Sequence, residues 1–296
     1  MATLAPPGQP VPPARRPRTA RSRTAPWRRA VRYLALTAVL LVMVGPFLWQ
    51  LSTSLKGATE DIYTYPPKLL PSSPTLDNYR SVADIIPVWD YALNSVKVAV
   101  SSVLTNVLGS AMAGYALARL RFRGRATAAL VFVLALLVPV EAIMIAQFAT
   151  MRELDINNTL VAVVLPGCIG AMNVLLMRNA FNNIPYEVEE AAIVDGANVW
   201  QRFTRVALPA VKGTLAVVAI FAFMGAWDDF LWPLIVLSDS DNFTLTVGLN
   251  YLHGTFSNNQ RIVAAGTIIA VAPLIVMFAC LQRYFFRGVG EGAVKG

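Results

Sequence analysis

Asn-Ile-Pro-Tyr-Glu-Val-Glu-Glu-Ala-Ala-Ile-Val-Asp-Gly-Ala-Asn-Val-Trp-Gln-Arg-Phe-Thr-Arg-Val-Ala-Leu-Pro, residues 183–209, is an island of polar and small residues between long apolar runs. Pro185 suits the first turn of a helix, with Asn183 as a cap. Glu187, Glu189 and Glu190 follow where a helix N-terminus favours negative charge. Gly196 permits a turn. A second short helix begins near Asn198 and stops by Pro209. Val188, Ala191, Ala192 and Asp195 share one helical face, and Val199, Phe203 and Val206 share another. The stretch therefore predicts a helical hairpin with a small-residue face (Ala191, Ala192, Gly196, Ala197) rimmed by acids. Small residues let another backbone approach closely, and acids offer paired contacts.

The sequence on both sides of the hairpin is apolar. Of 296 residues, 56% are hydrophobic and only 14% charged; a soluble chain carries about 25% charged residues. Mean hydropathy is +0.54. Apolar runs at 33–51, 91–118, 126–149, 159–178, 213–237 and 262–283 approach or exceed the roughly 20 residues that cross a bilayer. They predict an all-α polytopic membrane protein with six transmembrane helices. The 91–118 span is the most polar, with Asn94, Ser95, Lys97, Ser101, Ser102, Thr105 and Asn106, so it faces other helices or water. Its Gly109, Ser110, Ala111, Ala113 and Gly114 suit close helix packing. The absence of an internal repeat argues against an inverted-repeat secondary transporter.

Charge orients these spans. Residues 1–32 hold eight Arg and no acid, which accounts for the whole net charge of +8. With that end inside, 19 of the 25 Lys and Arg lie in cytoplasmic segments, including Arg119, Arg121, Arg123 and Arg125. Both termini are then cytoplasmic. Residues 1–30 read as a disordered Arg/Pro-rich tail, 31–283 as the membrane domain with its cytoplasmic loop at 179–212, and 284–296 as a glycine-rich cytoplasmic tail. The charged segment and the apolar run after it are too long for a signal peptide.

Several chemistries are excluded. Two cysteines, Cys168 and Cys280, sit in apolar runs, and His253 is the sole histidine. Neither a zinc site nor a His-based triad follows from that set. Gly-Lys occurs nowhere, so there is no phosphate-binding loop of the Walker type, and any ATP must be bound by another chain. The basic charge is confined to one tail, and within the hairpin only Arg202 and Arg205 are basic, so nothing indicates nucleic-acid binding.

Glu190-Ala191-Ala192, then Asp195-Gly196-Ala197, Phe203 and Leu208-Pro209, resemble the EAA motif of ABC importer membrane subunits. The resemblance extends over nearly the whole chain after residue 30. It narrows to the maltose-type carbohydrate uptake permeases, specifically the smaller of their two membrane subunits. Thr53-Ser54-Leu55-Lys56, Tyr65-Pro66-Pro67, Asn78-Tyr79, Asn94-Ser95, Gly114 to Arg119, Trp227 to Leu234 and the end from Gln282 to Gly296 carry it. The resemblance implies a type I ABC importer permease fold in a bacterial inner or cytoplasmic membrane. It implies a second permease subunit as heterodimeric partner, two ATPase subunits that bind ATP and Mg, and an extracytoplasmic substrate-binding protein. The hairpin would dock into the ATPase. Asp228 departs from the family, which usually has Asn there, and the long Arg-rich tail is a second departure.

Asn94, Glu141, Trp227, Asp228 and Asp229 are the candidate translocation-pathway residues. Acids at membrane depth accept hydroxyl hydrogen bonds and Trp faces stack on sugar rings; inter-helix contacts and interfacial anchoring explain the same residues. Adjacent residues on a helix point ~100° apart, so Asp228 and Asp229 are expected to face different surroundings. Glycerol 3-phosphate or another small solute is the alternative cargo. An intramembrane enzyme built on Asp228 and Asp229 is the alternative of a different class, but it lacks a second catalytic aspartate motif on another span.

Overall fold

The computed structural model describes residues 26–254 and 259–293. Most of the expected tail, residues 1–25, lies outside them, as do residues 294–296. The chain divides into two units, Met1–Leu48 and Trp49–Gly296. Helix α1 (Pro26–Ser54) lies in the first up to Leu48, its last turns from Trp49 belonging to the second, and it starts at a proline, whose missing N–H is no loss at a helix start. It therefore begins inside the stretch read as tail. Its apolar side chains, Leu34, Leu40 and Met43 among them, are exposed, as suits a lipid environment.

The second unit is built on α3 (Val88–Arg119), an unbroken helix of 32 residues, about 48 Å long at 1.5 Å per residue. It packs against α7 (Ala171–Asn182) and α11 (Lys212–Asp228); α11 in turn packs on α14 (Gln260–Ala293), and α14 on α2 (Asp77–Ile85). One apolar cluster, with Val88, Tyr91, Trp227, Trp232 and Phe243, fills the Val88 end. Another, with Ala111, Tyr115, Met177, Phe181, Phe203 and Val218, fills the Arg119 end.

Among the described residues, three helices are long and apolar enough to cross a membrane: Trp27–Ser54, Val88–Arg119 and Gln260–Cys280. The other expected spans are not straight helices. The 126–149 run is split into α4 (Arg125–Ala135) and α5 (Val140–Glu153), bent by 105°. Pro139 causes this, because it lacks an N–H and pushes Val138 out of helical conformation. The 159–178 run becomes α6 (Leu160–Val164), a 3-10 turn through Pro166 and Gly167, and α7, bent by 46°. The 213–237 run is α11, an extended Asp229, and α12 (Leu231–Val236). A further bend, of 82°, separates Val199–Ala210 from Lys212–Asp228; counting the three pairs bent by 105°, 46° and 82° as one span each gives up to six among the described residues. At the far end α14 runs through the glycines to Ala293, past the expected boundary at 283.

Two segments that carry the family resemblance meet around Thr53–Lys56. Asn78 Nδ2 donates to the carbonyls of Ser54 (2.8 Å) and Lys56 (2.9 Å), and the Ser54 and Tyr79 hydroxyls are 2.8 Å apart. Lys56 is buried, donates to the Lys68 carbonyl at 2.8 Å, and lies 4.7 Å from the Trp49 ring centre. These contacts close the proline-rich loop over the end of α1.

Candidate functional site

The hairpin forms, but Asn183 does not cap it: Asn183 closes α7, and Pro185 itself takes the cap position, just outside the helix and with no side-chain cap bond. Helix α8 (Tyr186–Val194) follows Pro185 and carries Glu187 and Glu189 in its first turn. It ends in a Schellman motif: Gly196 N–H donates to the Ile193 carbonyl (3.0 Å) and Ala197 N–H to the Ala192 carbonyl (2.9 Å). Gly196 has φ +79°, which explains the glycine. A full capping box follows: Asn198 Oδ1 accepts from Gln201 N–H, and Gln201 Oε1 accepts from Asn198 N–H, both at 2.9 Å. Helix α9 (Val199–Gln201) passes through a π-helical turn (Arg202–Ala207) into α10 (Leu208–Ala210). The second helix therefore runs one residue beyond Pro209. The wider π turn just before the proline makes room for a ring that would clash in a regular helix.

Two faces separate cleanly. Glu190, Ala191, Asp195, Gly196 and Pro209 are exposed, Ala192, Ala197 and Leu208 half-buried, and Val194 and Trp200 project into the open. Phe203 points the other way. It is buried against Tyr115, Phe181 and Trp200, with ring centres 5.2, 6.4 and 5.5 Å away, and so anchors the hairpin to the helices.

Sequence reasoning missed a polar knot under the hairpin. Tyr115 Oη donates to Glu189 Oε1 at 2.7 Å, and Arg202 Nη1 donates to the same oxygen at 3.2 Å. Arg119 Nε stands 3.6 Å from Glu189 Oε2, with the arginine side chain only 1% exposed. Arg119 also donates from Nε to the Phe181 carbonyl (3.1 Å) and from Nη2 to the Ile184 carbonyl, and it lies over the Tyr186 ring at 4.5 Å. It thus satisfies the carbonyls at the end of α7, where a helix favours positive charge. The available signal was the i, i+4 spacing of Tyr115 and Arg119, which puts both on one face of α3.

A cleft of about 480 Å³ lies where three helix interruptions converge: α4–α5, α6–α7 and α11–α12. Ser102 and Asn106 of α3 form one wall, with Gln147, Asn173 and Asp229 facing them. Interrupted helices leave backbone groups unpaired, and at membrane depth these are tolerated only in protein or beside a cavity. Asn106 meets this need at the α6–α7 break. Its Nδ2 donates to the Gly167 carbonyl (2.8 Å), and its Oδ1 accepts from Gly170 N–H (2.8 Å) and Asn173 Nδ2 (2.9 Å).

The candidate pathway residues do not gather in this cleft. Asp229 lines it. Glu141 is exposed in the first turn of α5, beside the cleft residue Val140. Trp227 is buried, donating to the Ala270 carbonyl at 3.0 Å and stacked on Phe223. Asn94 is buried, its Nδ2 donating to the Asp241 and Phe243 carbonyls. Asp228 and Asp229 together line a neighbouring pocket of about 450 Å³. Only Asp229 also lines the larger cleft; α11 ends at Asp228 and Asp229 is extended (φ −65°, ψ 123°), so helical spacing does not govern how the two are placed.

Residues 105–291 match the family described as binding-protein-dependent transport system inner membrane component. The chain belongs to this family. It is a membrane transport subunit, and ATP hydrolysis in such systems resides in separate chains. It is 33% identical over 93% of its length to the arabinooligosaccharides transport system permease protein AraQ of Halalkalibacterium halodurans, covering 99% of that protein. It is 32% identical over 90% of its length to the lactose transport system permease protein LacG of Rhizobium radiobacter, covering 96% of it. A chain from the crystal structure of a bacterial ABC transporter involved in import of the acidic polysaccharide alginate superimposes with TM-score 0.80 at 24% identity, covering 89% of this chain and 98% of that one. That likeness shows the same fold.

Proposed function

We propose that this chain is one of two different permease subunits of a sugar or oligosaccharide importer. In this reading it spans the membrane six times with both termini cytoplasmic, and the binding protein delivers cargo at the Val88 end of α3. Two ATPase subunits bind ATP and Mg beneath the Arg119 end. The turn of Glu190, Ala191, Asp195 and Gly196, exposed, with the half-buried Ala192 and Ala197, enters the ATPase, while Phe203, Leu208 and Pro209 fix its attitude. Closure of the ATPase pair moves the two hairpins as rigid bodies, and the spans exchange inward for outward access. The ~480 Å³ cleft, with Ser102, Asn106, Gln147 and Asp229, is this subunit's wall of the path. The sugar class is carried over from AraQ and LacG.

The single observation behind the docking reading is a small-residue turn exposed to solvent yet capped at both helices and anchored underneath. Such a surface is built rigid and left open. The test is reconstitution with the companion permease, ATPase and binding protein in lipid vesicles. Ala191→Trp should abolish both ATPase co-purification and stimulation of ATP hydrolysis by the binding protein, while the chain still inserts. Asp195→Cys should react with a membrane-impermeant maleimide from the cytoplasmic side. Labelling from the outer side would refute the orientation, and normal stimulation with Ala191→Trp would refute the docking.

A further inference from the structure

The hairpin has two covalent routes to the cleft, α7 through Ala171 and Asn173 and α11 through Phe221, Ala222 and Gly225, and both are interrupted where they reach it. Behind it, α7 leads to the break at residues 167–170; ahead, α11 ends at Asp228 and the chain turns extended at Asp229. Of the three helices, α3 is the one that continues unbroken along the cleft and beyond it. It meets the hairpin through Tyr115 and Arg119. About 14 Å from Tyr115 and 20 Å from Arg119 along the same helix, it meets the cleft through Asn106. Further on, Ser95 Oγ accepts from Leu245 N–H at 2.8 Å and Asn94 binds the 241–243 turn.

The chemistry of the first contact is that of a joint rather than of surface decoration. Glu189 is only 12% exposed and receives the Tyr115 hydroxyl and both arginines. Exposed ion pairs contribute little, whereas breaking a buried one strands a charge. Here removal of the Glu189 charge leaves Arg119 and Arg202 beside each other with no acid between them. Glu190, the next residue, points outward. Two adjacent glutamates thus divide the work: one faces the docking side and the other ties α8 to α3.

We propose that Glu189, with Tyr115 and Arg119, is a positioning group that delivers hairpin displacement directly into α3, making that helix the stiff lever that moves Asn106 at the cleft. This rests on the docking reading above. The test uses the complete transporter in vesicles, with Cys168→Ser, Cys280→Ser and Gln147→Cys, so that a thiol in the cleft reports access to an impermeant maleimide. ATP with orthovanadate is the trigger. With Glu189 intact, the labelling rate should change on trapping. Glu189→Gln should diminish that change by about tenfold, a typical coupling between sites, with the ATPase still bound; Tyr115→Phe should diminish it partially.

Glu189→Arg combined with Arg202→Glu restores the ion pair inside the hairpin but opposes Arg119 with a like charge, and should remain uncoupled. A full response in Glu189→Gln, or recovery in the charge exchange, overturns the proposal. If Glu189→Gln does not assemble, Tyr115→Phe, the loss of one hydroxyl, decides, and a full response there overturns it. No trapping response with Glu189 intact would instead overturn the docking reading on which the proposal stands.

Discussion

Gly114 lets α3 and α7 touch backbone to backbone, and enlarging it should be costly in a calculable way. A Cβ at this position would lie 2.6 Å from Met177 Cβ, 2.8 Å from Arg178 N and 3.0 Å from Met177 C. Ordinary contacts are about 3.5–4.0 Å, so the shortfall is roughly 1 Å. The atoms it meets are backbone or the first side-chain carbon, which no rotamer change moves. Relief requires α7 to retreat from α3, and such overpacking costs about 1–3 kcal/mol. Alanine recovers at most ~1 kcal/mol of helix propensity over glycine, so Gly114→Ala should be destabilising by about 1–2 kcal/mol. Gly109→Ala meets only the outer carbons of Ile169, which can swing aside, and should cost less. Gly225→Ala meets nothing within 4 Å and should be neutral or stabilising. The assay is the fraction remaining monodisperse in detergent after graded heating. For a unit of this size, each kcal/mol shifts the midpoint by about 2–4 °C. A Gly114→Ala midpoint equal to that of Gly225→Ala would refute the close-packing argument.

Phe203→Ala removes the aromatic anchor from the Arg119-end cluster, a loss of about 3–5 kcal/mol; limited proteolysis of membrane vesicles should then cleave within 183–211, and unchanged resistance would count against the anchor. At Gly196 the constraint is its φ of +79°, since its missing Cβ would meet open space. Gly196→Val should therefore reduce the ATPase that co-purifies with the chain far more than Gly196→Asn, which tolerates left-handed backbone; equal retention by both would contradict this. Asn78→Leu strands the Ser54 and Lys56 carbonyls, each worth about 1–3 kcal/mol when left unpaired. It should lower the detergent midpoint and open the 57–76 loop to protease, and a midpoint unchanged from the parent would show that the clamp contributes nothing.

What could be read from the sequence was whatever depends on local pattern. The hairpin was legible because its signals are short-range: Pro185 at a helix start, acids in the first turn, glycine at a left-handed cap, Asn198 three residues before Gln201. The apolar runs were legible because bilayer thickness sets their length. The breaks were signalled by Pro139, Pro166 and Gly170, yet hydropathy averages over a window and smooths them away. What only the tertiary structure decided was where side chains from distant segments meet. Glu189 reads as one of three helix-start acids, and nothing in its neighbourhood marks it as the one that turns inward to Tyr115, 74 residues earlier. Asp229 leaves the helix because its backbone bends, so a rule based on helical spacing could not apply to it. Asn106 serves the Gly167–Gly170 break from another helix. In each case the deciding energy is the satisfaction of a polar group away from water, and its partner is chosen by how the helices pack.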